Sequence, residues 1–245
     1  MLTAVLLGLW PLAGCAIVGP SAERALYQNS IRKHGYTALP ATNPVLETFR
    51  DLAVAGGLDP ARIYIGFEKG PELRAASIGG HHFVVTAPVV EVQNPCLVWG
   101  IVAHEVAHDM LGHADRQVAT STGIGVVATA ASFIFPGAGY LVQGAGWLGM
   151  QGYSRSQEAD ADTQAVTLLE KAGRPPWSLT YALRFIRDVY GDRGGSWVHS
   201  HPLTSERIAS QPPIDDAAAE ELCGPTELRE AQVEMVRQGL TKKKK

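Results

Sequence analysis

Apolar and polar residues along the chain follow the periods of short helices and a few strands. Helical spacing of apolar residues predicts helices over 22–33, 43–55, 94–115, 154–171, 177–190 and 225–239. Two runs rich in Val, Ile, Tyr and Phe, over 62–67 and 81–86, predict strands. Gly70-Pro71 and Gly79-Gly80 predict turns in the segment between the two strands. The pattern therefore predicts a mainly helical α+β fold with a small sheet.

The N-terminus has the pattern of a bacterial lipoprotein signal sequence. Residues 2–12 form an apolar run that ends in Leu12-Ala13-Gly14-Cys15. We expect cleavage before Cys15, loss of residues 1–14, and anchoring by acyl chains on Cys15. Ala16 is not Asp, which predicts sorting to the periplasmic face of the outer membrane. Because no Lys or Arg precedes the run, the alternative is an uncleaved anchor or a buried helix.

A second apolar stretch lies in the middle of the chain. Residues 117–154 contain no Asp, Glu, Lys or Arg, and Pro136 divides them into halves shorter than the about 20 residues of a straight spanning helix. We expect a Gly-rich helical hairpin here. It packs against its own fold, inserts shallowly into lipid or, as the least favoured alternative, spans the membrane.

The net charge and the cysteine content limit the possible partners and the possible cellular compartment. The net charge is -3, which offers no electrostatic attraction to phosphate backbones, so we expect no nucleic-acid partner. The basic tail, residues 242–245, is either solvated or touches anionic lipid. Apart from Cys15, only Cys96 and Cys223 are present, and they either form a disulfide or remain two buried thiols.

The most specific chemical signal is His104-Glu105-Val106-Ala107-His108 on the predicted helix over 94–115. Residues four apart share a helix face, so both imidazoles can bind one Zn(II) while Glu105 acts as the general base. A metzincin would have a third His at the position of Ala114, so that class is excluded. His113 is predicted to be structural or to support a ligand.

A catalytic zinc site needs a third protein ligand and an open position. Glu158 and Asp162 lie four residues apart on the predicted helix over 154–171, so one can bind the metal while the other accepts a hydrogen bond from a ligand His. We take Glu158 as the ligand. Asp160 lies on another side of this helix, and the alternative for all three acids is a solvated face.

Taken together, three motifs resemble the HtpX-like and CAAX prenyl endopeptidase family of zinc metallopeptidases. They are the His104 to His108 helix with His113, the helix that begins at Ser154-Arg155 and carries Glu158 to Asp162, and His199-Ser200-His201-Pro202 leading to Arg207-Ile208. The resemblance covers about residues 40–210. The lipoprotein start makes the chain most similar to periplasmic members such as the beta-barrel assembly-enhancing protease.

The resemblance implies a zincin-like fold with one Zn(II) per chain. His104, His108 and Glu158 would bind the metal, Glu105 would be the base, and Asp162 would orient a ligand. His201 would lie near the metal, where it stabilises the oxyanion, occupies the fourth position in a latent form, or is only structural. Predicted domains are the signal peptide 1–14, an anchored segment 15–40, the peptidase domain 41–212, and a C-terminal helix with a basic tail 213–245.

These features predict a metalloendopeptidase of the bacterial envelope that hydrolyses misfolded or unassembled envelope proteins. Residues 79–86 are expected to be an edge strand that pairs with an extended substrate, because strand pairing depends on backbone rather than side chains. The alternative is a lipid-anchored chaperone or assembly factor with structural zinc. An intact Glu105 argues against that alternative, because a structural site does not need a base.

Overall fold

The computed structural model describes residues 36–114, 153–191, 201–202 and 205–242. Cys15, the predicted helix over 22–33, residues 117–152 and the end of the basic tail lie outside the described residues. In chain order, the elements are β1 (Thr37–Ala38), α1 (Pro44–Ala55), β2 (Tyr64–Glu68), β3 (Ala75–Gly79), β4 (His82–Thr86), α2 (Ala87–Glu91), α3 (Pro95–Met110), α4 (Arg155–Lys171), α5 (Ser178–Tyr190), α6 (Ser205–Ala209), α7 (Asp216–Cys223) and α8 (Thr226–Lys242).

The predicted fold class is confirmed: the described part of the chain is mainly helical, with one four-stranded sheet in the order β1-β2-β4-β3. β2 and β4 pair in parallel, from Tyr64 opposite His82 to Glu68 opposite Thr86. β1 pairs with β2, and β3 with β4, in antiparallel fashion. Within the described residues, no helix combines the length and apolar character needed to cross a membrane.

The predicted edge strand over 79–86 is wrong. β4 covers His82–Thr86 and lies inside the sheet, because β2 pairs with one side of it and β3 with the other. The edge on this side of the sheet is β3, a segment for which the sequence pattern predicts no strand. Its sequence, Ala-Ala-Ser-Ile-Gly, is short of the bulky β-branched and aromatic residues that mark strands, yet all five residues are buried.

Local capping signals place the main helices where the pattern predicts them. Asn43 accepts a hydrogen bond from the Val45 amide at the start of α1, and Asn94 accepts one from the Leu97 amide at the start of α3. Ser154 and Gln157 form a reciprocal capping box that begins α4. The signals of α7, which are the Asp215 cap and Gly224, are as clear, but the pattern of apolar residues is too short to reveal it.

Helix α3 lies at the centre of the molecule and packs against α1, α4, α5 and β3. The crossing with α5 is close at Gly100, where a Cβ atom would lie 2.2 Å from the Ser178 carbonyl oxygen. Because a side chain cannot fit at this point, glycine in the middle of α3 is a packing requirement. The close crossing holds the central helix rigidly against α5.

The C-terminal helices hold the start of α3. Cys96 and Cys223 form a disulfide with a Cα–Cα distance of 5.8 Å, which links α3 to α7. The Asn94 side-chain amide donates hydrogen bonds to the Tyr181 hydroxyl (2.8 Å) and to Oε1 of Gln232 on α8 (2.9 Å). α8 also contributes buried residues to the main hydrophobic core. These contacts connect the chain end to the helix that carries the predicted site.

Candidate metal centre

Two helices and one loop residue converge on a buried group of His and Glu side chains. α3 contributes His104 and His108, α4 contributes Glu158, and His201 comes from the segment before α6. All four side chains are buried. The i and i+4 spacing on α3 puts both α3 imidazoles on the face that meets α4. The described residues thus bring together the three predicted ligands and His201.

The ligand atoms are as close as they would be around one small cation. Nε2 of His104 lies 3.0 Å from Nε2 of His108 and 3.2 Å from Nδ1 of His201. The Glu158 oxygens lie 3.4, 3.3 and 3.1 Å from the same atoms of His104, His108 and His201. A tetrahedral ion with bonds of 2.0–2.1 Å separates its ligands by roughly 3.3 Å. The residues therefore fit a four-coordinate metal ion.

The carboxylate of Asp162 and the guanidinium of Arg207 contact the ligand residues and fix their orientation. Oδ1 of Asp162 accepts a hydrogen bond from Nδ1 of His104 at 3.0 Å, which leaves Nε2 to face the ligand group. Arg207 donates to both Asp162 oxygens at 2.6 and 2.8 Å and forms an ion pair with Glu158. Asp160 is exposed to solvent. Sequence reasoning did not assign this role to Arg207, although it noted Arg207 six residues after His201.

His108 is held by two other aromatic side chains. Nδ1 of His113 lies 2.9 Å from Nδ1 of His108, and the Tyr153 ring stacks on the His108 ring with centroids 4.0 Å apart. Because only one nitrogen of that pair can donate, a proton on Nδ1 of His108 leaves its Nε2 as a lone-pair donor. His113 thus supports a ligand, one of the two roles that the sequence left open. Tyr153 carries no sequence signal.

Glu105 lies beside the ligand group and is fully buried. Its Oε2 accepts a hydrogen bond from the Ser77 amide of β3 at 2.8 Å, and its Oε1 lies 3.4 Å from Nε2 of His201. Among the described residues, none donates a hydrogen bond to Oε1. Burial raises the pKa of Glu105, although His201 and His104 partly oppose this. A raised pKa suits a group that accepts and returns a proton near neutral pH.

The electrostatics of the group favour an ionised Glu158 and a neutral His108, whereas His104 holds a proton. Burial by itself raises the pKa of Glu158, but His201 and Arg207 outweigh it, so the pKa lies well below its ordinary value. Burial and the neighbouring His104 hold the pKa of His108 well below its ordinary value. For His104, burial lowers the pKa, but hydrogen bonds to Asp162 and Glu158 raise it to about 9. An arriving cation would displace this proton.

Comparison with known proteins relates the chain to a peptidase family and to a metalloprotease. The sequence profile of peptidase family M48 matches residues 46–211. The metalloprotease LoiP of Escherichia coli K12 is 30% identical over 117 residues, which cover 45% of this chain and 46% of that protein. The chain thus matches about half the length of this relative. The profile match contains all four residues of the ligand group and Glu105.

Proposed function

Since the chain belongs to peptidase family M48, we propose that it is a zinc-dependent metalloendopeptidase of the bacterial cell envelope. The observation that carries the proposal is the convergence of His104, His108 and Glu158 with Glu105 beside them, all buried. A carboxylate next to two helical histidines is the arrangement used for metal-assisted hydrolysis. The similarity to a metalloprotease supports the same reaction class.

Zinc is the metal that the donor set favours. Imidazole nitrogens with one carboxylate oxygen are ligands of catalytic zinc, whereas magnesium and calcium prefer oxygen alone. His104, His108 and Glu158 would hold one Zn(II), and Asp162 would fix the tautomer of His104. When bound, zinc supplies a Lewis acid that activates water and polarises the scissile carbonyl.

The chain's own residues handle the proton. Glu105 accepts a proton from water as the water oxygen attacks the carbonyl carbon, and then donates it to the leaving nitrogen as the peptide bond breaks. The Ser77 amide holds Oε2 of Glu105, so Oε1 is the oxygen placed for this transfer. Water is consumed, and the products are a carboxylic acid and an amine. This assignment follows the HExxH and ExxxD pattern of His104 to His108 and Glu158 to Asp162.

Three roles for His201 agree with the sequence, and the geometry of His201 favours the latent form. Nδ1 of His201 lies 3.2 Å from Nε2 of His104 and 3.1 Å from Oε1 of Glu158, within the spacing of a fourth ligand. A fourth protein ligand occupies the position that substrate or water needs. We therefore propose that His201 restrains activity and leaves when substrate binds. A gain in kcat for His201→Ala supports this role, and a loss supports oxyanion stabilisation instead.

Substrate binding would use the outer edge of β3, the strand that the Ser77 contact joins to Glu105. Pairing with an edge strand requires an extended substrate, which favours unfolded chains. We propose that the substrates are misfolded or unassembled envelope proteins, as for periplasmic members such as the beta-barrel assembly-enhancing protease. An acylated Cys15, and the hairpin over 117–154 if it enters lipid, would hold the enzyme at the outer membrane.

The decisive experiment compares wild type with Glu105→Gln at matched zinc occupancy, using soluble protein from Ala16 onward. The substrates are casein and a denatured outer-membrane protein. We expect cleavage by wild type and a loss of at least about a hundredfold in the variant, because general-base catalysis contributes about that much. Equal cleavage by both proteins refutes the role of Glu105. Zinc content by metal analysis confirms that the substitution leaves the ligands intact.

A chaperone with structural zinc is the second candidate, and one observation favours it. Four protein ligands, with His201 as the fourth, are typical of closed structural zinc sites. This candidate predicts that neither wild type nor His201→Ala cleaves casein, while both suppress aggregation of a denatured outer-membrane protein. Cleavage by His201→Ala alone identifies a latent peptidase and rejects the chaperone.

A further inference from the structure

The turn between β3 and β4 is attached to the active-site helix at a point that the proposed chemistry does not use. We propose that His81 and Asp109 form a clamp that fixes the direction of β3 along α3 and so positions an extended substrate. This inference rests on the proposed peptidase function. Asp109 is a positioning residue, because it acts through the turn at His81 and so through β3.

The clamp has two hydrogen bonds to one buried carboxylate. The His81 amide donates to Oδ1 of Asp109 at 2.9 Å, and Nδ1 of His81 donates to Oδ2 at 2.6 Å. Asp109 is only 7% exposed. His81 has a φ of 64°, a conformation that residues other than glycine rarely adopt. The strained turn is held by the contact with Asp109.

A second attachment makes the clamp directional. The Ser77 amide of β3 donates to Oε2 of Glu105, one helical turn before Asp109. Glu105 and Asp109 are four residues apart on α3, so they lie on one face of the helix. With the Ser77 contact alone, the paired strands β3 and β4 could turn together about that point on α3. Two attachments, at Ser77 and His81, fix its direction as well as its position.

The direction of β3 matters because its outer edge is the surface for strand pairing. The Arg74 carbonyl accepts a hydrogen bond from the Thr86 amide of β4. Because antiparallel pairing alternates, the backbone groups of Arg74 and Ala76 face β4, whereas those of Ala75 and Ser77 face the outer edge. At that edge the Ser77 amide already donates to Glu105. A shift of one residue in such pairing turns every side chain to the other face. Substrate alignment at Glu105 therefore depends on where β3 lies.

Hydrogen exchange tests the clamp without relying on activity. Wild type is compared with Asp109→Ala and His81→Ala, and Asp160→Ala is the control, because Asp160 is an exposed acid. We expect the amides of 75–79 to exchange about tenfold faster or more in both clamp variants, with α5 unchanged, because a hydrogen bond to a charged group is lost. Unchanged exchange over 75–79 in His81→Ala, which alters one half-buried side chain of the turn, overturns the clamp.

Peptide cleavage at matched zinc occupancy tests the effect of the clamp on substrate binding. A nested series of peptides extends from one residue to five on each side of the scissile bond. We expect Asp109→Ala to raise KM about tenfold for the longest peptide and to leave kcat for the shortest within about twofold. An equal loss of kcat/KM for peptides of all lengths overturns the positioning role. If wild type cleaves none of the peptides, the proposed function fails, and hydrogen exchange still decides whether the clamp exists.

Discussion

Replacing Arg207 tests whether one buried cation stabilises the two carboxylates, Asp162 and Glu158, at the metal centre. Arg207 is 8% exposed and donates to both oxygens of Asp162, while it forms an ion pair with Glu158. Met has a similar length and no charge. In Arg207→Met, two buried carboxylates lose their common cation. Asp162 keeps contacts with His104 and with Gln211.

Removing one partner from a buried ion pair costs about 3–5 kcal/mol of folding free energy. We expect about 3 kcal/mol here at pH 8, the low end of that range, because Asp162 keeps two other partners. The cost should shrink at acid pH. In wild type, the depressed pKa of Glu158 contributes stability above the ordinary carboxyl range, and that stability is lost as pH falls through the folded pKa. In the variant the pKa of Glu158 rises, so protonation relieves the unpaired charge.

The assay is urea unfolding of chelator-treated protein at pH 8 and pH 5, with the disulfide kept oxidised. Arg184→Met on α5 is the matched control, because Arg184 is exposed and its variant should stay within about 0.5 kcal/mol of wild type. A destabilisation by Arg207→Met below about 1 kcal/mol at pH 8 refutes the reasoning, since burial of the two carboxylates would then require no cation. A loss of unfolding free energy that is larger at pH 5 than at pH 8 contradicts the expected direction of the pH dependence.

Three further predictions follow from the site and the core. Asp162→Asn should weaken zinc binding about tenfold to a hundredfold in a chelator competition, because His104 loses its orienting carboxylate; unchanged affinity contradicts this. The double variant Cys96→Ala, Cys223→Ala should lose about 4 kcal/mol of unfolding free energy in urea while it keeps one zinc per chain. Gly100→Ala should cost about 1–3 kcal/mol by the same measurement, because its Cβ would meet the Ser178 carbonyl; a neutral result means that α5 moves away freely.

The main helices and the core of the site could be predicted from local signals. Asn94-Pro95 begins α3 and Ser154 begins α4, each with a cap that depends on residues within one turn. The spacing of His104, Glu105 and His108 predicts where these side chains lie on any helix, because residues four apart always share a face. These features need no knowledge of the rest of the chain. The M48 match covers all of them.

The wrong strand predictions concern segments whose pairing depends on residues far apart in the sequence. β3 has a weak strand signal, and it becomes a strand because it is buried between β4 and α3. The central place of β4 follows from its parallel pairing with β2, which the strand sequence does not specify. The edge strand was therefore assigned to the wrong residues. Pairing order is a property of the whole sheet and not of any one strand.

Taken alone, the sequence determined the main helices, two strands and the residue types of the metal centre, since capping and periodicity act within a few residues. The tertiary structure decided which side chains lie around that centre. Arg207 contacts Asp162 across 45 positions, and His81 contacts Asp109 across 28. Such contacts depend on how elements pack in three dimensions, and packing at long sequence separation leaves no periodic signal in the chain.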